Sequence, residues 1–193
     1  VMMEMKEVFE DLRDERRKTN GYDLISIIAN PINGNELSSE EYMGNVILLL
    51  VGGNDTTRNS MTASVLGLSR FPHEYEKLKE NHDLIPGFCS EAIRWHTPLP
   101  QMKRTALRDM EVGKQAIAEG EKVVMWYISG NRDERVFEKP HEFIIDRANI
   151  RNHMSFGFGL HRCLGNRLAE LQLRLIWESI LSQFEHVEML SEP

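Results

Sequence analysis

A helical pattern running from Ser38 to Arg70 constrains this chain more than any other feature. Ser38 and Glu41 stand at capping-box spacing. Phe71-Pro72 ends the pattern, because a proline drives the residue before it out of helical conformation. At about 1.5 Å per residue the segment is a rod of roughly 45 Å, long for a globular protein, and a mainly helical fold must pack around it. Its middle reads Gly52-Gly53-Asn54-Asp55-Thr56-Thr57. Each interior glycine costs about 1 kcal/mol against alanine. A pair of them beside an acid and two alcohols needs a reason. A plain one is that Thr56 and Thr57 bond back to carbonyls and bend the helix.

The remaining pattern is helices, a small sheet, a long loop and a last helix. Residues 1 to 18 are amphipathic, with Met5, Val8, Phe9 and Leu12 at helical spacing, and Asn20-Gly21 is a plausible C-cap. Leu24 to Ala29 is a short apolar stretch, and Asn30 to Asn35 a loop. Pro72 to Asn81 reads as a helix with proline in its first turn, and Pro86 to Trp95 as another, closed by Thr97-Pro98. Residues 101 to 127 turn strand-like, with Gly113 and Gly120 as turns. One helical turn is expected over Asn131 to Phe137. Glu138 to Leu160 has no period, and the final helix is expected from about Cys163 to Phe184. The fold class is therefore mainly α with a small β-sheet.

Composition narrows the function classes. The net charge of -7 argues against a global nucleic-acid surface. The longest apolar run, Val46 to Val51, is far short of the roughly 18 residues a membrane span needs. Two cysteines, Cys89 and Cys163, make no disulfide scaffold, which fits a reducing cytoplasm.

Ser155 to Gly165, Ser-Phe-Gly-Phe-Gly-Leu-His-Arg-Cys-Leu-Gly, is the most informative segment. A cysteine after a glycine-rich loop at a helix start lies where orphan N–H groups and the dipole favour thiolate. Gly157, Gly159 and Gly165 permit close backbone approach around a flat, bulky object. The alternative is a buried structural cysteine in a glycine-rich turn. Glu91 and Arg94, three apart, share a helix face and can pair.

Phe156, Gly159, Cys163 and Gly165 match the haem-thiolate signature of the cytochrome P450 family, which this chain resembles over nearly its whole length. Gly52-Gly53-Asn54-Asp55-Thr56-Thr57 resembles that family's oxygen-binding helix motif, and Glu91-Ala92-Ile93-Arg94 its Glu-x-x-Arg motif, in the expected order. Gly53 to Met61, Trp126 to Asp133 and Gly165 to Glu170 are further similar to bacterial medium-chain alkane and fatty-acid terminal hydroxylases within it.

The resemblance implies a role for each residue. Cys163 would be the axial ligand of haem b (iron protoporphyrin IX). Asp55 and Thr56 would be catalytic, Thr56 by hydrogen bonding to dioxygen and Asp55 by relaying protons. Arg104 and His161 would bind haem propionates, Arg162 is a less certain contact, and Phe156 would pack on the haem or else be a plain core aromatic. Arg147 would join Glu91 and Arg94 in a structural network holding the cysteine loop. Leu99, Pro100, Gln101 and Met102 would line the substrate channel, and Asn131-Arg132-Asp133 would be a structural turn. Residues 1–193 would form a partial domain, the C-terminal part of the P450 fold without its N-terminal half and final hairpin, and inactive alone.

The expected reaction is insertion of one oxygen atom of O2 into an unactivated C–H bond, with the terminal carbon of an alkane or fatty acid as favoured target. Electrons would come from separate proteins, because the sequence shows no flavin or nicotinamide fingerprint, and the resemblance implies a ferredoxin and its reductase. Residues 151 to 175 carry a net charge of +3 against -10 for the remainder, a patch that would steer an acidic partner. Besides a cytochrome P450 acting on another hydrophobic substrate, two alternatives of other classes stand beside this reading. One is a haem-binding module without turnover. The other is a cysteine hydrolase using Cys163 with His161, which the two-residue spacing disfavours.

Overall fold

The computed structural model describes residues 2–19, 21–30 and 34–191. The expected cap at Asn20, and Pro31 to Asn33 of the expected loop, lie outside the described residues. The chain divides into two compact units, residues 1–55 and 56–193.

The first unit holds α1 (Met2–Arg16), α2 (Leu24–Ala29) and the beginning of α3 (Ser39–Arg70). Asp23 caps α2 by accepting from the Ser26 amide at 3.0 Å and its hydroxyl at 2.6 Å. Here the apolar stretch Leu24–Ala29 becomes a helix. The capping box opens α3 as expected: the Ser38 amide donates to Glu41 at 2.8 Å, and the Glu41 amide donates to the Ser38 hydroxyl at 3.2 Å. Ala29, Tyr42, Met43 and Val46 form a small core, closed by the Tyr42 hydroxyl donating to the Phe9 carbonyl at 3.0 Å. Gly52 and Gly53 do not interrupt α3, which is one continuous helix of 32 residues.

The second unit carries the rest of α3, then α4 (Pro72–Glu80), α5 (Ile85–His96), α6 (Tyr127–Gly130) and α7 (Asn166–Gln183). Its core is built from Leu68, Phe88, Ile93, Phe143, Leu173 and Trp177 among others. Phe88 meets Trp177 edge to face at 4.9 Å, and the Trp177 indole N–H is satisfied in the interior by the Ser64 hydroxyl at 2.8 Å. At Gly67 an added Cβ would lie 2.6 Å from the Phe143 ring, so only glycine lets α3 lie this close to the 143–145 segment.

The strand-like region forms two antiparallel pairs rather than one sheet. β1 (Gln101–Thr105) pairs with β4 (Lys122–Trp126), with Lys103 opposite Val124, and β2 (Met110–Val112) pairs with β3 (Gln115–Ile117). Gly113 at φ 65° turns the β2–β3 hairpin, as its position suggested.

Two boundaries differ from expectation. The helical turn expected at Asn131 to Phe137 lies earlier, at α6, directly after β4. Helix α7 begins at Asn166 with Gly165 as its N-cap, so Cys163 precedes the helix instead of opening it. Among the described residues no helix is long and apolar enough to cross a membrane.

Candidate functional site

The cysteine loop gets its shape from its own backbone. Gly157 and Gly159 adopt φ values of 67° and 72°, a region L side chains rarely enter. A Cβ on Gly157 would also press the Tyr127 hydroxyl oxygen at 3.2 Å. The Gly157 amide donates to the Met154 carbonyl at 2.8 Å, and the Cys163 amide donates back to the Phe156 carbonyl at 2.8 Å. A short 3-10 turn, Gly159–His161, fills the interval. Because Cys163 stands two residues before the N-cap, the helix dipole is a weaker argument than the sequence suggested, since that effect fades outside the first turn. The loop hydrogen bonds hold the residue instead.

The cysteines differ sharply. Cys89 is buried in the core and its thiol is pushed up to about 12, chiefly by desolvation and then by Glu170. Cys163 is a free, exposed cysteine. Around it in sequence Phe158, Leu160, Leu164 and Leu168 are exposed at 80%, 97%, 81% and 58%. A polarizable donor flanked by apolar side chains suits a flat hydrophobic ligand carrying a soft metal. The residues present, one exposed thiol on a loop flanked by apolar side chains, fit haem. Among the described residues no group of three or more His, Cys, Asp or Glu could hold a metal ion.

Phe156 is half-buried, packed on the core and tilted against the His153 ring at 5.4 Å. The His153 imidazole is held neutral, its pKa lowered to about 4 by burial and then by the cations Arg162, Arg94 and Arg151. His161 is exposed in the 3-10 turn. Arg104 is half-buried on β1, where its guanidinium donates to the Lys103 carbonyl at 3.0 Å. Among the described residues no hydrogen bond joins Arg104 to His161 or to Cys163. Asp55 is exposed and Thr56 half-buried on α3, and the Thr56 carbonyl accepts from Ser60 at 2.8 Å.

Glu91, Arg94 and Arg147 do come together. Arg94 donates from Nε at 2.7 Å and Nη2 at 2.8 Å to the two Glu91 oxygens, and Arg147 Nε reaches Glu91 at 3.1 Å. Arg94 also donates to the carbonyls of Asn131, Pro140 and Glu142 at 2.7, 2.8 and 3.0 Å. Arg147 donates to the carbonyls of Glu138, Lys139 and Glu142, folding the irregular segment on itself, while its bond to Glu91 ties that segment to α5. Every charge here is buried and bonded, the condition under which an interior ion network holds a fold together.

Four more residues belong to this framework, of which Asn131 was expected only as part of a structural turn. Glu74, 1% exposed, accepts from the Ile145 amide at 3.0 Å, beside the Glu91 bond from the Ile144 amide at 2.8 Å. Thr97, Asn131 and Ser155 join one another by hydrogen bonds. One glutamate among the three of α4 and three short polar residues scattered over 59 positions carry no periodic signal. The one available clue was Thr97 itself, a polar residue where α5 ends.

The family model for cytochrome P450 matches residues 1–193. The chain belongs to the cytochrome P450 family. Linalool 8-monooxygenase of Pseudomonas putida is 40% identical over 193 residues, covering 100% of this chain and 47% of that protein. The methyl-branched lipid omega-hydroxylase of Mycobacterium tuberculosis is 38% identical over 185 residues, 94% of this chain and 43% of that protein. Among solved structures, cytochrome P450-153 from Novosphingobium aromaticivorans superposes with a TM-score of 0.91 at 47% identity, covering 98% of this chain and 47% of that one. The chain thus spans about half the length of the P450 relatives it matches. P450 membership implies a haem-thiolate centre, and the fold is part of the P450 fold.

Proposed function

We propose that this chain carries the haem-binding portion of a monooxygenase that inserts one atom of O2 into an unactivated C–H bond, with the terminal carbon of an alkane or fatty acid as substrate position. The carrying observation is Cys163, exposed, fixed through its amide to Phe156, and flanked by apolar side chains. Support for the substrate class comes from relatives named for linalool and for the omega end of a methyl-branched lipid, both largely hydrocarbon.

Cys163 would ligate haem b as thiolate, and His161 and Arg104 would take the propionates. Haem bound there supplies the activation of dioxygen. Phe158 and Leu160 would exclude water from the macrocycle. Thr56 would hold dioxygen by its hydroxyl, with Asp55 passing protons inward from solvent. Glu91, Arg94 and Arg147 would keep the loop in shape and take no part in the reaction. The partial domain, residues 1–193, would work within a cytoplasmic protein.

Electrons would come from a ferredoxin served by its reductase. The matching surface is a cleft of about 310 Å³ lined by Arg151, Arg167 and Arg174 with Glu170, between α5 and α7. An acidic partner is drawn to such a patch and released by salt.

Hemin titration followed by reduction under carbon monoxide tests the ligand: the wild type gives a red-shifted Soret band, and Cys163→Ala gives none. An unchanged band in the variant rejects the assignment. Product formation from an alkane with ferredoxin and reductase then tests the reaction. Coverage of about half the relatives' length favours a second reading for this stretch alone, haem capture without turnover; a red-shifted band with no product would identify it.

A further inference from the structure

Asn131 is completely buried, and every polar atom it has is used. Its amide donates to the Tyr127 carbonyl at 2.9 Å, and its carbonyl accepts from Arg94 at 2.7 Å. Its side chain spans two segments that are otherwise remote in sequence. Oδ1 accepts from the Met154 amide at 2.6 Å, while Nδ2 donates to the Thr97 hydroxyl at 2.8 Å and to the Ser155 hydroxyl at 2.7 Å. The orientation of the amide follows from chemistry. The Met154 N–H can only donate, so it must face Oδ1. The two hydroxyls spend their own protons on the carbonyls of Arg94, at 2.7 Å, and Ile93, at 2.9 Å, so both present lone pairs to Nδ2.

The consequence is a continuous chain of bonds. It runs from the buried Glu91–Arg94 pair through Asn131 to Met154 and Ser155, and so to the start of the cysteine loop. Met154 in turn accepts the Gly157 amide, and Phe156, the next residue after Ser155, accepts the Cys163 amide. We propose that Asn131 is a positioning residue of this site, its side chain transmitting the register of the Glu91–Arg94 network to the loop presenting Cys163. The proposal rests on the reading of Cys163 as the haem ligand only in its second readout below.

An asparagine is required for a stated reason. Aspartate has the same shape but no donor. It would set oxygen against two hydroxyl oxygens whose protons are committed, and these could turn to it only by abandoning the carbonyls of Ile93 and Arg94. Leucine fills the space but orphans the Met154 amide and removes the donor that both hydroxyls accept from. Asn131 therefore differs from an ordinary core residue in that an isosteric change breaks it locally.

The experiment is amide hydrogen exchange on the full chain, with Soret spectroscopy of the haem-loaded protein. In Asn131→Asp, exchange across residues 154–163 should rise on the order of ten-fold, the amount one lost buried bond allows, while the β1–β4 ladder and α4 keep their protection. The red-shifted ferrous carbon monoxide band should convert to the unshifted form several-fold faster than in wild type. Ser155→Ala should give a smaller change in the same segment, and the double variant Asn131→Asp/Ser155→Ala should add little to Asn131→Asp alone. Unchanged exchange at 154–163, a uniform rise across the whole second unit, or additive effects in the double variant would each overturn the proposal. If Asn131→Asp does not accumulate folded, Thr97→Val and Ser155→Ala, each deleting one acceptor, decide by the same exchange readout. If wild type never shows the red-shifted band, the haem reading fails, while the exchange result still judges Asn131.

Discussion

Arg94 clasps Glu91 three residues before it with two nitrogens, at 2.7 and 2.8 Å, and neither side chain is exposed to solvent. Removing one member of such a pair leaves an ion in the interior with nothing to balance it. Glu91→Ala should therefore lose about 3–5 kcal/mol of unfolding free energy. Glu178→Ala removes the partner of Arg174 on exposed α7, a 3.3 Å pair half open to water, and should cost no more than about 1 kcal/mol. Denaturant unfolding of the two variants separates them. Equal losses would show that the Glu91 pair is no more than a surface bridge.

That pair was legible in the sequence because residues three apart on a helix must share a face. The capping box, the proline-started α4 and the end of α5 at Thr97-Pro98 were equally local. What escaped was set by distance along the chain. Asn131 meets Thr97 and Ser155 across 34 and 24 positions, through short polar side chains that form no period. The α7 start moved three residues because Cys163-Leu164-Gly165 has no local mark distinguishing loop from first turn; only the tie from the Cys163 amide to Phe156 makes it loop. Strand-like composition extends to Tyr127, where the chain instead begins the helical turn Tyr127–Gly130, and there the tertiary bond from the Ile128 amide to Pro100 accompanies the change.

The thiols give a second prediction. In haem-free folded protein a thiol reagent should modify Cys163 rapidly, because it is exposed, and leave Cys89 untouched, because it is buried and its thiol is pushed up to about 12. Cys163→Ala should abolish the fast phase, and hemin should suppress it in wild type. Fast labelling of Cys89 in the native state would contradict the core described for α5.

Glycines separate packing from chemistry. A Cβ at Gly87 would meet the Ile145 carbonyl oxygen at 2.5 Å, backbone that cannot rotate away, so Gly87→Ala should destabilise by about 1–3 kcal/mol. A Cβ at Gly53 meets nothing within 4 Å on a continuous helix, so Gly53→Ala should stabilise by up to about 1 kcal/mol. Thermal unfolding checks both signs. Under the proposed function the same Gly53 variant should lose monooxygenase activity despite its higher stability, because the residue belongs to the oxygen-helix motif.

Acid should loosen the cysteine loop through His153. Its ring is packed against Phe156, its Nδ1 is buried without a hydrogen-bond partner, and burial together with Arg162, Arg94 and Arg151 lowers its pKa from 6.5 to about 4. The folded chain thus binds fewer protons at this site than the unfolded chain does between those values. Stability from His153 is present in full above pH 6.5 and is lost as pH falls toward 4, an effect of up to about 3 kcal/mol. His153→Phe keeps an aromatic ring against Phe156 and removes the titration. Its unfolding free energy should fall less steeply than that of wild type between pH 6.5 and 4, the difference growing toward the acid end. Parallel curves over that window would show that the imidazole is not held neutral by its surroundings.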